Sequence, residues 1–247
     1  LVVTDRHDNI GMDPVVRAVA DRARARLLID LGDDTSNGAS WEAFSINSLA
    51  REFKGFDIVS VAGNHDQGPN VREQMIDKGF KLLKGKTLTV DGIRFLGSSD
   101  PRSSGLTAGY NGNESDNIAA LRAQDAALTK AACADTGVAV IAVHSPSSAI
   151  QAAASGCADL VLSGHLHRQV GPAVIAGTNG RSTTTLTTGT TGGAVFAFAL
   201  GSKLRHPAQV TIVTFKDGLP VDLQPVNFEQ GGAINAEAYV PVTTTPR

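Results

Sequence analysis

The chain has 247 residues, 42% hydrophobic and 19% charged, with a formal net charge of −2. That length suffices for a sizeable core, and the charge balance supplies no basic field to hold a nucleic-acid backbone, so no nucleic-acid surface is expected. No apolar run approaches the ~18 residues of a membrane helix.

The first element is already under way at "LVVTD", without an initiator Met or a signal-peptide pattern, so upstream sequence is expected. Short β-branched runs follow in "RLLID", "FDIVSVAG", "VAVIAVH" and "ADLVLSGH". Helical patterns separate them over roughly 13–25, 39–52, 69–78, 116–134 and 146–155. Such β-α-β order predicts a largely parallel sheet with crossover helices. "KTLTVDGIRFLGSS" interrupts the order, with Asp91-Gly92 as a hairpin turn. Beyond residue 168 the helices stop. "RQVGPAVIAG", "RSTTTLTTG", "GGAVFAFAL", "AQVTIVTFKDG" and "PVDLQPVNF" read as successive antiparallel strands, with Asp217-Gly218 as a further turn. Two face-to-face sheets with helices outside accommodate both halves. With no repeat or linker to split it, 1–247 is expected to be a single domain ending in a loosely held tail, 238–247.

Polar residues gather where strands end. Asp5 and His7 follow "LVVT", Gly32-Asp33 follows "RLLID", and Gly63-Asn64-His65-Asp66 follows "VSVA". His144 closes "VAVIAV", and Gly164-His165-Leu166-His167 closes "DLVLS". Five of the six histidines occupy such ends, the rim where parallel α/β folds bind ligands. In extended chain Asp5 and His7 point to one side, and so do His165 and His167, so each pair can present two ligands to one centre. Carboxylates, imidazoles and an amide suit Mn²⁺, Fe or Zn²⁺ better than Ca²⁺. Seven candidates, Asp5, His7, Asp33, Asn64, His144, His165 and His167, exceed one zinc shell and suggest two metals with a bridging carboxylate. The alternative is a set of core histidines and helix-capping aspartates.

In this order, D-x-H, G-D, G-N-H-D, a lone strand-end His and G-H-x-H resemble the calcineurin-like metallophosphoesterase superfamily. The motifs run from residue 5 to 167. The resemblance implies a four-layered α/β/β/α sandwich, with two mixed β-sheets flanked by helices. It implies two divalent ions, Mn most readily, or Fe or Zn. Asp5, His7 and His167 would hold one; Asn64, His144 and His165 the other; Asp33 would bridge. It implies that His65 is catalytic and not a ligand, facing the scissile phosphate, with Asp66 orienting or charging it. The implied reaction is hydrolysis of phosphate mono- or diesters by a metal-bridging hydroxide. The alternatives are a nuclease or cyclic-nucleotide phosphodiesterase of the same superfamily, or a non-catalytic binding protein on this fold. The G-D-x-V-D-R-G and G-N-H-E forms of serine/threonine protein phosphatases are absent. The nearest resemblance is to bacterial envelope-associated members, which carry "GDPR" where this chain has "SSDPR".

The Gly/Ser/Asn-rich segment 98–117 is long enough to be a lid or binding loop. Its Arg102 and Tyr110 are expected to contact substrate, Arg102 through phosphate oxygens. "TLTTGTTGG", 185–193, reads equally as a segment near the metals or as a plain strand and turn. Asn113-Glu114-Ser115 fits a glycosylation acceptor. Cys133 and Cys157 each precede a strand that ends in a ligand, so both fall on the rim opposite the metals, as a disulfide or as two buried thiols. A bond would suit an oxidising compartment, with the domain facing the envelope behind an upstream membrane anchor. On that basis the extracytoplasmic face of a bacterial membrane is favoured over the cytoplasm.

Overall fold

A computed structural model describes residues 1–106, 109–197 and 204–243. One sheet contains β1 (Val2–Val3), β2 (Leu27–Asp30), β3 (Asp57–Ser60), β4 (Lys81–Leu82), β11 (Ala208–Lys216), β12 (Leu219–Phe228), β13 (Ile234–Ala236) and β14 (Val240–Pro241). Its order is β13-β12-β11-β1-β2-β3-β4, with β14 also on β12. The other contains β5 (Leu88–Val90), β6 (Ile93–Ser98), β7 (Val140–Val143), β8 (Leu160–Ser163), β9 (Val170–Ala176) and β10 (Ser182–Thr187), in the order β5-β6-β7-β8-β10-β9. β1 through β4 run parallel, as do β6, β7, β8 and β10.

Period-two alternation assembles the layers. Leu27, Ile29 and Leu31 along β2, with Val59 and Val61, face Phe95, Val140, Ala142, Leu160 and Leu162 of the second sheet. The intervening Leu28 and Ile58 face outward, against α1 (Asp13–Arg22), α2 (Ala43–Glu52) and α3 (Gly68–Asp77). On the far side Leu96, Ile141, Val143 and Val161 pack against α4 (Glu114–Ala134) and α5 (Ile150–Ser155). The mixed α/β architecture, two sheets flanked by helices, is the one expected.

Four details differ from expectation. The strands after residue 168 are not one antiparallel series. β9 and β10 form a hairpin, but its returning strand sits directly on β8 and so runs parallel to it. β11 leaves that sheet and pairs antiparallel with β1. Residues 192–197 form no strand; Gly192 instead bonds the β1 loop, its N–H donating to the Asp5 carbonyl and its carbonyl accepting from Asn9 Nδ2, and 198–203 lie outside the described residues. In the tail, Val240 and Pro241 pair with β12 and Val242 is buried, so this part is fastened; 244–247 lie outside the described residues.

Asn113 is the N-cap of α4, its Oδ1 accepting from the Asp116 N–H at 2.8 Å. The triplet 113–115 thus has a local structural role. Cys133 and Cys157 form a disulfide with Cα atoms 5.0 Å apart, tying the end of α4 to the approach to β8.

Candidate metal centre

The strand-end loops of both sheets converge on one cavity. The β1 and β2 loops are zipped by backbone hydrogen bonds from the N–H of Asp5, His7 and Asp8 to the carbonyls of Gly32, Asp33 and Asp34. Two motif glycines permit this approach. A Cβ on Gly63 would lie 2.1 Å from Asp33 Oδ1, and one on Gly164 would lie 2.0 Å from Thr4 Oγ1. Asp5, His7, Asp33, His165 and His167 all have φ between 43° and 71°. Left-handed backbone at non-glycine residues costs ~1–3 kcal/mol each and gathers at functional sites.

That backbone corrects the alternation argument. The pairs are not extended, so i and i+2 need not share a side. Asp5 and His7 do converge, together with His167, on ligand atoms within 4.8 Å of one another. His165 instead joins Asp33 and His144 in a second such group. The four histidines thus divide into pairs, His7 with His167 and His144 with His165.

In the first group His7 Nε2 and His167 Nε2 are 3.1 Å apart, and Asp5 Oδ1 is 3.2 Å from His167 Nε2. In the second, His144 Nε2 lies 3.1 Å from Asp33 Oδ2 and 3.2 Å from His165 Nδ1. Asp33 Oδ2 is also 3.8 Å from His7 Nε2, so this carboxylate faces both groups. Asn64 lines the same cavity; its Nδ2 donates to Ser104 Oγ at 3.0 Å, and its Oδ1 is buried with no hydrogen-bond partner.

Three of the four imidazoles are held from behind, while His7 Nδ1 is buried without a hydrogen-bond partner. His144 Nδ1 is 2.8 Å from the Leu31 carbonyl, and His167 Nδ1 is 2.9 Å from the Ala194 carbonyl. His165 Nε2 meets the Tyr110 hydroxyl at 2.7 Å. Asp5 Oδ2 accepts from Thr4 Oγ1 and the His165 N–H, both at 2.8 Å. Burial opposes the charge on Asp5, yet His167, His144 and His7 hold it below the usual carboxylate range. Burial also opposes the charge on His144, but Asp33, with Asp5 and Asp100, pushes it up to about 10. His165 goes the other way: burial, then the His144 and Arg102 charges, lowers it to about 3.

His65 lines the cavity, its Nδ1 2.9 Å from the Ser36 carbonyl and its N–H donating to Asp33 Oδ1 at 2.8 Å. Asp66 does not do what the resemblance implied. Its Oδ2 accepts from the N–H of Asp33 (2.7 Å), Gly63 (3.0 Å) and Asp34 (3.3 Å), and its Oδ1 from the N–H (2.9 Å) and hydroxyl (2.8 Å) of Thr35. It knits the 33–35 loop, and Ser36 orients the His65 ring.

Segment 98–117 does border the cavity through Ser104, Gly109 and Tyr110; Thr107 and Ala108 lie outside the described residues. Arg102 lies beside His165, Nη2 to Nε2 3.5 Å, but its guanidinium is buried and committed. It grips Asp100 through Nε at 3.0 Å and Nη2 at 2.7 Å, and the Tyr110 ring lies 4.1 Å over it. "SSDPR" therefore encodes a closed ion pair beneath Tyr110, and a direct phosphate contact by Arg102 is not what the geometry offers. The segment after β10 does pass the site. Thr191 N–H donates to the Thr4 carbonyl, and Thr190 Oγ1 and Gly192 N–H to that of Asp5.

Sequence reasoning missed Arg6. Fully buried, it grips Asp13 with Nε and Nη2 and reaches Asp34 Oδ1 with Nη1 at 2.6 Å. Asp34 completes this ion pair, which clamps the β1 and β2 loops to α1.

A first solved structure aligns with 97% of this chain and 98% of its own at 10% identity, with a TM-score of 0.55. An archaeal phosphodiesterase aligns over 97% and 98% at 11% identity and 0.42, and a dimetal phosphatase from Danio rerio over 99% and 98% at 9% identity and 0.49. At such identities only the fold is shared, and the first alignment alone carries that. No curated protein matches the chain by sequence. The family model for calcineurin-like phosphoesterases matches residues 1–169, the stretch that contains every ligand-bearing strand end. With the motifs, the two-sheet fold and that match in agreement, the chain belongs to the calcineurin-like phosphoesterase family.

Proposed function

We propose that this protein hydrolyses phosphate esters at a dinuclear metal centre. Asp5, His7 and His167 hold one ion, Asn64, His144 and His165 the other, and Asp33 both. The observation that carries the reading is the pair of ligand groups facing a shared carboxylate. The donor set fits metal ions. Asn64 Oδ1 is an orphaned buried acceptor, a costly state without a cation. His7 and His167 aim their Nε2 atoms at each other at hydrogen-bond distance, and the Ala194 carbonyl on Nδ1 holds the His167 ring in that orientation. Mixed nitrogen and oxygen donors without thiolate suit Mn, Fe or Zn. Two bound ions would supply Lewis acidity to the phosphate oxygens and lower the pKa of an attacking water.

The chain's own groups do the rest. The Leu31 and Ala194 carbonyls and the Tyr110 hydroxyl fix ring orientations, so the donors are preorganised. His65, held at Nδ1 by Ser36, lines the cavity, where its ring is placed to pass a proton to the leaving oxygen. The Cys133–Cys157 bond supports an oxidising compartment, hence a domain facing the envelope rather than the cytoplasm.

Elemental analysis of protein reconstituted with Mn²⁺, Fe²⁺ or Zn²⁺ tests the centre. About two ions per chain are expected, with Asp33→Asn losing both because it faces both groups. One ion in fully active protein would refute the dinuclear reading. Phosphoesterase activity that is absent in every loaded form would refute the function.

A further inference from the structure

The cavity has a volume of about 260 Å³, and its two flanks are chemically alike. On the His165 flank stands Tyr110, whose ring is inclined 29° to the imidazole with centroids 6.1 Å apart. On the His167 flank stand Leu166, Val195 and Phe196, positioned because the Ala194 carbonyl is anchored on His167 Nδ1. Phe196 is 69% exposed and Leu166 39% exposed, which is expensive for large apolar groups unless a ligand covers them. Among the described residues, no lysine or arginine lines the cavity. Arg102, the guanidinium beside it, has its charge matched by Asp100 and one face covered by Tyr110.

From these features, and resting on the phosphoesterase reading above, we propose that the substrate is a phosphodiester monoanion carrying an apolar or aromatic group on each side. One group lies on Leu166, Val195 and Phe196, the other on Tyr110. A monoester would leave one of the two apolar flanks uncovered. The reaction balances as (RO)(R′O)PO₂⁻ + H₂O → ROPO₃H⁻ + R′OH. The P–O bond to R′ breaks, a P–O bond to the water oxygen forms, one water proton ends on R′O and the other stays with the phosphate.

Calorimetry on metal-loaded His65→Ala protein measures recognition apart from turnover. Diphenyl phosphate is expected to bind about 10-fold tighter than phenyl phosphate and dimethyl phosphate, the low end of what burying one large apolar group supplies. Phe196→Ser and Leu166→Ser, both at exposed positions, should each weaken diphenyl phosphate binding several-fold and leave dimethyl phosphate unchanged. Phenyl phosphate binding more tightly, or rim variants without effect, would overturn the proposal. A dinucleoside monophosphate and a short-chain phosphatidylglycerol separate a nucleotide source from a lipid one; preference for either over its monoester supports the diester. In turnover, wild-type protein that cleaves p-nitrophenyl phosphate faster than its bis ester leaves a phosphoesterase and removes the diester. Cleavage of neither, with diphenyl phosphate still bound tightly, would remove the phosphoesterase reading and keep the recognition.

Discussion

Asp66→Asn separates the loop-knitting role of Asp66 from a catalytic one. Four backbone N–H groups and the Thr35 hydroxyl converge on this buried carboxylate. An asparagine keeps one acceptor oxygen. Its least costly orientation puts Nδ2 towards Thr35, whose hydroxyl can reverse and accept, while the Thr35 N–H loses its acceptor. One buried unpaired donor costs ~1–3 kcal/mol, and the remaining bonds lose their charge assistance. The sum is about 2–3 kcal/mol, or a fall in Tm of roughly 5–10 °C for a chain of this size. Thermal melts of metal-free protein measure it without the contribution of bound ions. Because the Asp33 N–H hangs from Asp66, elemental analysis of the variant should also show reduced metal retention. If Asp66 instead acted through the His65 ring, kcat would fall while Tm and metal content held. An unchanged Tm would refute the argument.

His65→Ala should retain its metals while kcat falls by ~10²–10⁴, the scale of a lost general acid; loss of metal would move His65 into the ligand set. Asp30 is buried and raised well above the usual carboxylate range, first by burial and then by Asp34 and Asp66, so the folded protein holds a proton that the unfolded chain releases above about pH 4. Stability of the metal-free protein should therefore decline as pH rises from that point, and Asp30→Asn should flatten the decline in urea titrations; a steeper decline in the variant would contradict the sign. Cys133→Ser should cost about 3 kcal/mol for opening a loop of 24 residues' separation, read as a lower urea midpoint, and non-reducing mass spectrometry of wild-type protein should find no free thiol.

The parallel strands and the residues that gather at the cavity were legible for one reason: an apolar run that stops at a carboxylate or imidazole marks a strand end on a binding rim. Asp91-Gly92 gave its hairpin as well. The role of Asp66 was not legible, because three of its partners are main-chain N–H groups about thirty residues earlier, at Asp33, Asp34 and Thr35, which carry no side-chain signature. Arg102 was misjudged because a guanidinium near phosphate chemistry reads as a ligand, whereas Asp100, two residues away, already satisfies it. Arg6 left a faint signal as the charged residue inside D-x-H, with Asp13 one short turn ahead. β10 escaped because a hairpin's returning strand can be inserted beside an earlier one, a choice made by the edge of β8 and not by local pattern.

Each ligand group draws from both sheets. Asp5 and His7 follow β1 while His167 follows β8; Asp33 follows β2 while His144 and His165 follow β7 and β8. Under the proposed metal-centre reading, ions bound here would act as rivets through the seam of the sandwich, and their affinity would gauge how the two sheets sit on each other. A void opened deep in the seam, by Phe95→Ala or Leu160→Ala, lets the sheets settle towards each other and changes the gap that the donors span. On that reading metal affinity would be a property of the whole interior, and variants far from the rim would lose activity by loosening the rivets while every candidate ligand remains in place.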